Sequence, residues 1–336
     1  MRIGSNPHKD EVLSKSQYLH QIIVPVFIPH QEEYFKDSLA ILKLCLESIF
    51  ATTHDKTFIT IVNNGSDIVV VNYLDLLLKE NKIHELIHTQ NIGKLNAILK
   101  GLAGNNIELV TISDSDVLFL KDWQKETVSV FKSVPKAGVV GIVPQFKMYE
   151  SNCGNILFDT ILSSKLQFVP VKNTEGLIRF YDSIGWKRDY NENYLKYNLG
   201  LKINSNQNVL LGSGHFVATY KKDIFEEIVS YIEFKMGGTS EAYLDKAPLK
   251  KDYWRVTTHD NYAYHMGNTL ENWMIVLQNL EKEEEQVSYG FEKKKPISPF
   301  LYWIKNRLFI KFISIKVLVK LFLKWKKLPK EMISKY

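Results

Sequence analysis

The sequence predicts an α/β protein built on a mostly parallel sheet flanked by helices, followed by a basic helical tail. Three observations carry this. Short β-branched apolar runs alternate with helical patterns through roughly the first 120 residues, two of those runs end in polar turn-rich loops, and residues 293–336 differ sharply in charge from the rest.

The elements follow in order. Residues 21–27 (QIIVPVF) are apolar and β-branched, a strand, and over 32–50 Leu39, Leu42, Leu46 and Ile49 recur at helical spacing. Residues 58–62 (FITIV) make the next strand, which Asn63-Asn64-Gly65-Ser66-Asp67 halts before a second helical stretch at 69–79. A strand at 85–88, a helix at 93–102 and a strand at 108–112 (ELVTI) complete four βα steps, the last running into Ser113-Asp114-Ser115-Asp116. Crossovers of this kind bury a parallel sheet on both faces, and ligands then bind beyond the carboxyl ends of its strands. Both polar loops fall on that edge. Residues 144–208 turn aromatic, Asn-rich and charged and yield no element assignment. Residues 209–220 (VLLGSGHFVATY) predict a strand, a Gly-Ser-Gly turn and a strand, and 222–230 a short helix.

Composition narrows the function classes. With 45% apolar and 24% charged residues in 336, the chain buries a core without disulfides or a structural metal. Cys45 and Cys153 are the two cysteines and are far apart, so neither a disulfide framework nor a cysteine-ligated zinc site is expected, and a reducing, cytoplasmic compartment fits. Residues 1–15 lack the apolar run of an export signal, and no uncharged apolar stretch reaches the roughly 20 residues of a spanning helix. Residues 293–336 hold thirteen Lys/Arg against Glu331 alone, so the tail carries +12 and the body −6. On a helix over 300–325, Lys316, Lys320, Lys324 and Lys327 fall on one side and Leu308, Phe312, Ile315, Val319 and Phe322 on another, with Trp303 and Trp325 near the ends. That is the pattern of a basic amphipathic helix lying in a membrane interface; packing against the body or another subunit is the competing expectation. Nucleic acid is not expected, because the positive charge is confined to this one segment.

Asp114-Ser115-Asp116 directly follows an apolar strand. Two carboxylates so placed are able to share a hard divalent cation and bridge it to a diphosphate. A dinucleotide-binding reading of the same βα start lacks the required GxGxxG after the first strand.

The order of motifs over residues 20–270 resembles the family 2 nucleotide-sugar glycosyltransferases of the GT-A type. The matching segments are Pro25-Val26-Phe27, Asn63-Asn64-Gly65-Ser66, the Asn91-Ile92-Gly93-Lys94-Leu95-Asn96-Ala97 run, and Asp114 and Asp116. Further on come Gly212-Ser213-Gly214 as an acceptor-side turn, then Asp245, Leu249, Tyr253-Trp254-Arg255-Val256 and His265. The resemblance implies a GT-A domain at 1–280, with a donor half at about 20–120 and an acceptor half at about 121–280, an acidic linker at 281–292 and the tail at 293–336. It implies a Mn²⁺ or Mg²⁺ ion at Asp116, Asp114 and His265, and donor contacts from Pro25, Phe27, Asn63, Asn64, Gly93, Lys94, Asp114, Ser115 and Asp116. Acceptor-side roles fall to Gly212, Ser213, Gly214 and Glu241. Inversion by direct displacement needs one carboxylate as base, for which Asp245 is the first choice. Because Leu244 precedes Asp245 where the family has an acidic pair, Glu241 is its rival. Asn63 and Asn64 stand where the family has acids, which leaves the nucleobase open, with uracil favoured. The expected activity is sugar transfer from a nucleotide-sugar to a lipid-linked or polysaccharide acceptor in surface glycan synthesis, by a cytoplasmic protein peripheral on the inner face of the membrane, with a homo-oligomer left open. A non-catalytic nucleotide-sugar-binding scaffold is the alternative.

Overall fold

The computed structural model describes every residue except 1–3, 5–8, 13, 15, 227–228, 237–240, 277–287 and 335. The apolar runs form β1 (His20–Val26), β2 (Thr57–Asn64), β3 (Glu85–Thr89) and β4 (Leu109–Ser113), paired in parallel in the order β3-β2-β1-β4. Their crossovers are α1 (Ser38–Thr52), α2 (Ile68–Lys79) and α3 (Lys94–Leu102). Successive residues of a strand face opposite sides, so Ile22, Val24 and Val26 of β1 pack with Leu42, Cys45 and Leu46 of α1. Ile23 joins Leu95 and Ile98 of α3 on the other face. The helix expected from residue 32 starts at Ser38, because Glu33–Phe35 forms a separate 3-10 turn.

The chain continues through β5 (Val117–Phe119), α4 (Trp123–Ser133), β6 (Ala137–Gly141), α5 (Gly154–Thr160), β7 (Leu166–Pro170), α6 (Thr174–Ser183) and β8 (Tyr197–Lys202). Then come β9 (Asn208–Leu211), β10 (Val217–Lys221), α7 (Ala242–Lys250), β11 (Trp254–Thr258), β12 (Ala263–His265) and α8 (Asn272–Val276). One sheet of ten strands results, ordered β3-β2-β1-β4-β10-β6-β11-β9-β8-β7, and β12 pairs with β5 separately. Among the described residues seven of the ten strands run one way, and β10, β9 and β7 run against them. The two strands around the Gly-Ser-Gly turn are therefore not a hairpin: β9 lies between β11 and β8, whereas β10 lies between β4 and β6. Of the helix expected at 222–230, Lys222–Phe225 forms a 3-10 turn and 227–228 lie outside the described residues.

The tail departs from one continuous helix. It comprises α9 (Pro299–Trp303), a π-helical turn over Ile304–Leu308, α10 (Phe309–Ile313) and α11 (Lys316–Trp325). The break falls where Ile315 is extended and the Ser314 hydroxyl donates back to the Ile310 carbonyl at 2.7 Å. Phe322, Leu323, Leu328 and Met332 are buried with Tyr149, Leu157 and Phe168 of the body, while Leu308, Phe312 and Ile315 stay exposed. The amphipathic face expected from the sequence is thus divided between body and solvent. Of the expected acidic linker, 281–287 lie outside the described residues. Its described end is docked, with Tyr289 Oη 2.8 Å from His54 Nε2.

A buried charge cluster fastens the tail. Lys305 Nζ meets Asp159 Oδ1 and Asp252 Oδ2, each at 2.8 Å, and Lys136 reaches the same carboxylates at 2.6 and 3.1 Å. Burial alone would raise the pKa of Asp159, but the hydrogen bonds from Lys136 and Lys305 outweigh it and hold it below the usual range. A carboxylate depressed in this way adds stability above its unfolded pKa of about 4 and loses it as pH falls through the folded value. Docking of the tail should therefore weaken below about pH 4. At pH 7, Lys305→Ala should cost about 2–3 kcal/mol, less than the ~3–5 of a fully broken buried pair because Lys136 still faces both carboxylates. Thermal melting and limited proteolysis at 293–298 check this, and unchanged melting and cleavage would place the docking in the apolar contacts alone.

Candidate functional site

The site forms where β1 and β4 part. Their pairing ends at Ile23 and Ile112, so Pro25 lies beyond the last pair, where its missing N–H costs no ladder bond to β4. The chain order reverses here as well, since β2 lies to one side of β1 and β4 to the other, and such switch points open a crevice. Phe27 emerges from it 37% exposed, its ring 6.0 Å from Phe35.

Asn63 and Asn64, expected at the nucleoside, are buried and occupied by their own loops. Asn63 Oδ1 accepts from the Ser66 N–H at 3.0 Å, and its Nδ2 lies 2.9 Å from His88 Nδ1. Asn64 Oδ1 accepts from the Ile92 N–H at 2.9 Å. Both side chains brace the 63–67 turn against the loop leading into α3. Gly93 in that loop has φ +90°, and a Cβ there would stand 2.9 Å from the Phe234 carbonyl. Lys94 N–H donates to the Lys235 carbonyl at 2.9 Å, and the Asn96 side chain bonds both the carbonyl and the N–H of Ile232. The 232–235 loop is thereby clamped to the start of α3, a contact without a sequence signal.

Asp114, Ser115 and Asp116 form the turn between β4 and β5, all partly exposed. Asp114 Oδ1 is 2.6 Å from Lys94 Nζ, and Asp116 Oδ2 is 3.4 Å from His265 Nε2, whose Nδ1 lies 2.9 Å from Ser183 Oγ. Burial disfavours the Lys94 ammonium, but Asp114, Glu241 and Asp116 together outweigh it and raise its pKa. Burial raises the pKa of Asp116, against His265, which lowers it, and with Asp114, which raises it further. Asp116 Oδ1 is buried without a hydrogen-bond partner. An acidic pair with one orphaned oxygen fits a divalent cation that takes its remaining ligands from phosphate and water. Among the described residues no group of three or more metal-ligating side chains is brought together, so the expected set of Asp114, Asp116 and His265 does not form a three-ligand cluster.

The acceptor-side residues gather around the turn at 212–214. Gly212 has φ +92°, and a Cβ there would stand 2.5 Å from the Met148 carbonyl, while one on Gly214 would strike Gln145. Arg255, 2% exposed, donates to the Ser213 carbonyl and to Asp245 Oδ1, both at 2.5 Å. Asp245 is thus the counter-ion of a buried guanidinium. Glu241, at the head of α7, instead meets His215 Nε2 at 3.0 Å, and both side chains reach solvent. The structure accordingly brings Lys94, Asp114, Asp116 and His265 together, with the charge of Glu241 felt at Lys94. His215, Gln145 and the Arg255 clamp escaped sequence reasoning, although His215 directly follows the glycine turn.

Comparisons with known proteins bear on the same region. Residues 26–229, more than half of the chain, match the model of glycosyl transferase family 2. No curated relative matches the sequence. Among solved structures, residues 1–349 of S. aureus TarS in complex with UDP-GlcNAc are 13% identical, with 91% of this chain and 70% of that one covered, at a TM-score of 0.45. The same TarS fragment in another structure is also 13% identical at 0.43, and there the chain spans only 60% of its length, from 74% of its own. A mannosyltransferase from Pyrobaculum calidifontis in complex with GDP-Man and Mn²⁺ is 14% identical, with 94% and 75% covered, at 0.46. The family match over residues 26–229 is decisive: the chain belongs to glycosyl transferase family 2.

Proposed function

We propose that the protein moves a sugar, with inversion, from a nucleoside diphosphate sugar, a UDP-sugar first, to a lipid-linked or polysaccharide acceptor of a surface glycan, while docked on the inner face of the cell membrane. The observation that carries this reading is the convergence of Lys94, Asp114, Asp116 and His265 at one sheet edge, with Glu241 and His215 beside them.

The acceptor hydroxyl oxygen bonds the anomeric carbon as the bond from that carbon to the diphosphate breaks. The electron pair leaves with the nucleoside diphosphate, and the hydroxyl proton passes to a carboxylate. Geometry favours Glu241 over Asp245 for that proton. One Asp245 oxygen is taken up by the buried Arg255 guanidinium, whereas Glu241 meets His215 and reaches solvent. A cation at Asp116 and Asp114 would neutralise charge on the leaving diphosphate. Lys94 and His265 add donors on the same side, and Phe27 offers a ring to the nucleobase.

The tail supports membrane docking from outside the body. Among the described residues no helix is long and apolar enough to cross a membrane. Phe300, Trp303, Leu308, Phe312, Ile315, Val317, Leu321 and Trp325 are nevertheless exposed among Lys311, Lys316, Lys320 and Lys324. An apolar row within cationic surroundings complements an anionic bilayer.

Three outcomes are expected. Thermal-shift measurements with nucleotide sugars should show Mn²⁺-dependent stabilisation by one nucleotide class, lost in Asp116→Ala; a mutant that keeps the response would remove Asp116 from the donor site. Glu241→Gln should lower kcat by about 10²–10⁴ while keeping donor binding, whereas Asp245→Asn should mainly lower Tm. The reverse pattern would make Asp245 the base, and a wild type with donor binding but no turnover would favour the scaffold. Replacing Lys316, Lys320 and Lys324 with Gln should weaken binding to vesicles containing anionic phospholipid on the order of a hundredfold, at ~1 kcal/mol per lysine. Equal binding by mutant and wild type would assign the exposed apolar row to a protein partner.

A further inference from the structure

The segment 184–190 leaves α6 at the edge of the site and carries a tryptophan that the reaction described above does not use. Ser183, the last residue of α6, holds His265 through its hydroxyl, and its carbonyl stands 2.8 Å from where a Cβ on Gly267 would be. The chain then turns through Gly185, at φ +70°, and the Trp186 N–H donates to the Tyr181 carbonyl at 2.9 Å. The start of this segment is thus a single side chain, His265, away from Asp116.

The indole stands on a rigid bed. Its ring lies 4.9 Å from Tyr181, 6.3 Å from Tyr190 and 6.4 Å from Phe146. Phe146 is stacked on Tyr181 at 3.9 Å, and its N–H donates to the Tyr181 hydroxyl at 2.6 Å. Tyr181 is 3% exposed, yet Trp186 is 49% exposed. Such a ring, fixed from behind and open in front, offers a large apolar surface at little entropic cost. Polar residues follow it in the chain: Lys187 and Asp189 are exposed, and Arg188 is held by Asp182 at 3.0 and 2.5 Å.

Sheet order tells which half of the reaction this platform serves. Asp114 and Asp116 follow β4, which lies between the β1 and β2 ends carrying Phe27 and the β6 end carrying Gln145 and Phe146. Phe146, in the bed under Trp186, follows β6, which lies beyond β10 on the side of β4 away from β1, so with the nucleoside at Phe27, as proposed above, the bed falls on the opposite side. Gln145, adjacent to Phe146, packs on Gly214, which joins the aromatic bed to the acceptor-side turn. A pyranose has one face of axial C–H groups and an edge of hydroxyls, and those surfaces match an open indole followed in the chain by polar residues.

We propose that Trp186, backed by Tyr181, Phe146 and Tyr190, is the stacking platform for a pyranose ring of the acceptor, a specificity-determining residue on the side of the site away from the nucleoside. This rests on the transferase reading. The test uses octyl glucoside, galactoside, mannoside and N-acetylglucosaminide below their micellar concentrations, with the nucleotide sugar that stabilises the wild type. In Trp186→Ala the KM for the accepted pyranoside should rise about tenfold with kcat changed less than threefold, and Trp186→Phe should recover most of the loss. Saturation-transfer NMR with the same pyranosides should show contact through the C–H face in the wild type and none in Trp186→Ala. A KM within twofold of wild type, or pyranoside contact that is absent from the wild type or unaltered in the mutant, overturns the platform. Failure of the wild type to turn over any nucleotide sugar overturns the transferase reading instead, and the NMR arm still decides whether Trp186 holds a sugar.

Discussion

One buried guanidinium, that of Arg255, organises the region around the glycine turn at 212–214. Arg255 sits in β11, and its guanidinium is spent on the Ser213 carbonyl and Asp245, while its own carbonyl accepts from the Gly212 N–H. The strand, the glycine turn and α7 are thereby fixed to one another, because a guanidinium this deep is tolerated only with its counter-ion and acceptors in place. Glu241 and His215 owe their positions to that arrangement, one at the head of α7 and the other directly after the turn. Asp245 neutralises a structural cation, whereas Glu241, four residues earlier on the same segment, meets His215 and reaches solvent.

The donor half was legible in the sequence because its determinants are local. β-Branched runs bounded by Asn-Gly and Asp-rich turns predicted β1 to β4 and the sheet edge on which both polar loops fall, but not the positive φ of Gly93, which was expected as the first residue of a helix. The roles of Asn63 and Asn64 were not legible. Position in a motif marked them for a turn and for the nucleoside; the partners of their amides, which hold the 63–67 turn to the α3 approach, come from residues 88 to 92 and carry no signal in the motif. Residues 144–208 were opaque for a further reason. β7 and β8 are short strands, α5 has seven residues, and aromatic side chains packed from loops, such as Phe146 and Tyr190, interrupt the periods of two and 3.6 between these elements.

The tail shows the limit of periodicity as an argument. A helical wheel sorts lysines from apolar residues correctly, yet it assumes one axis, and the kink at Ser314 and Ile315 turns α11 so that Phe322 enters the body while Phe312 does not. Charge patterning alone did not anticipate Lys305 as an internal group, because the two aspartates that receive it, Asp159 and Asp252, lie at distant positions in the chain.

Those two aspartates also connect the tail to the chemistry. Asp252 lies just past the end of α7, and the Ile297 N–H donates to the Lys250 carbonyl, the last residue of that helix. Helix α7 is therefore held at both ends: at its head by the contact of Glu241 with His215, and at its foot by the tail. Each hold acts on a short helix of nine residues, too short to be stable by its own hydrogen bonds, so its position is set by what binds its ends. The foot of α7 is joined to the tail through Lys305 and Asp252, as its head is joined to the glycine turn through Glu241 and His215.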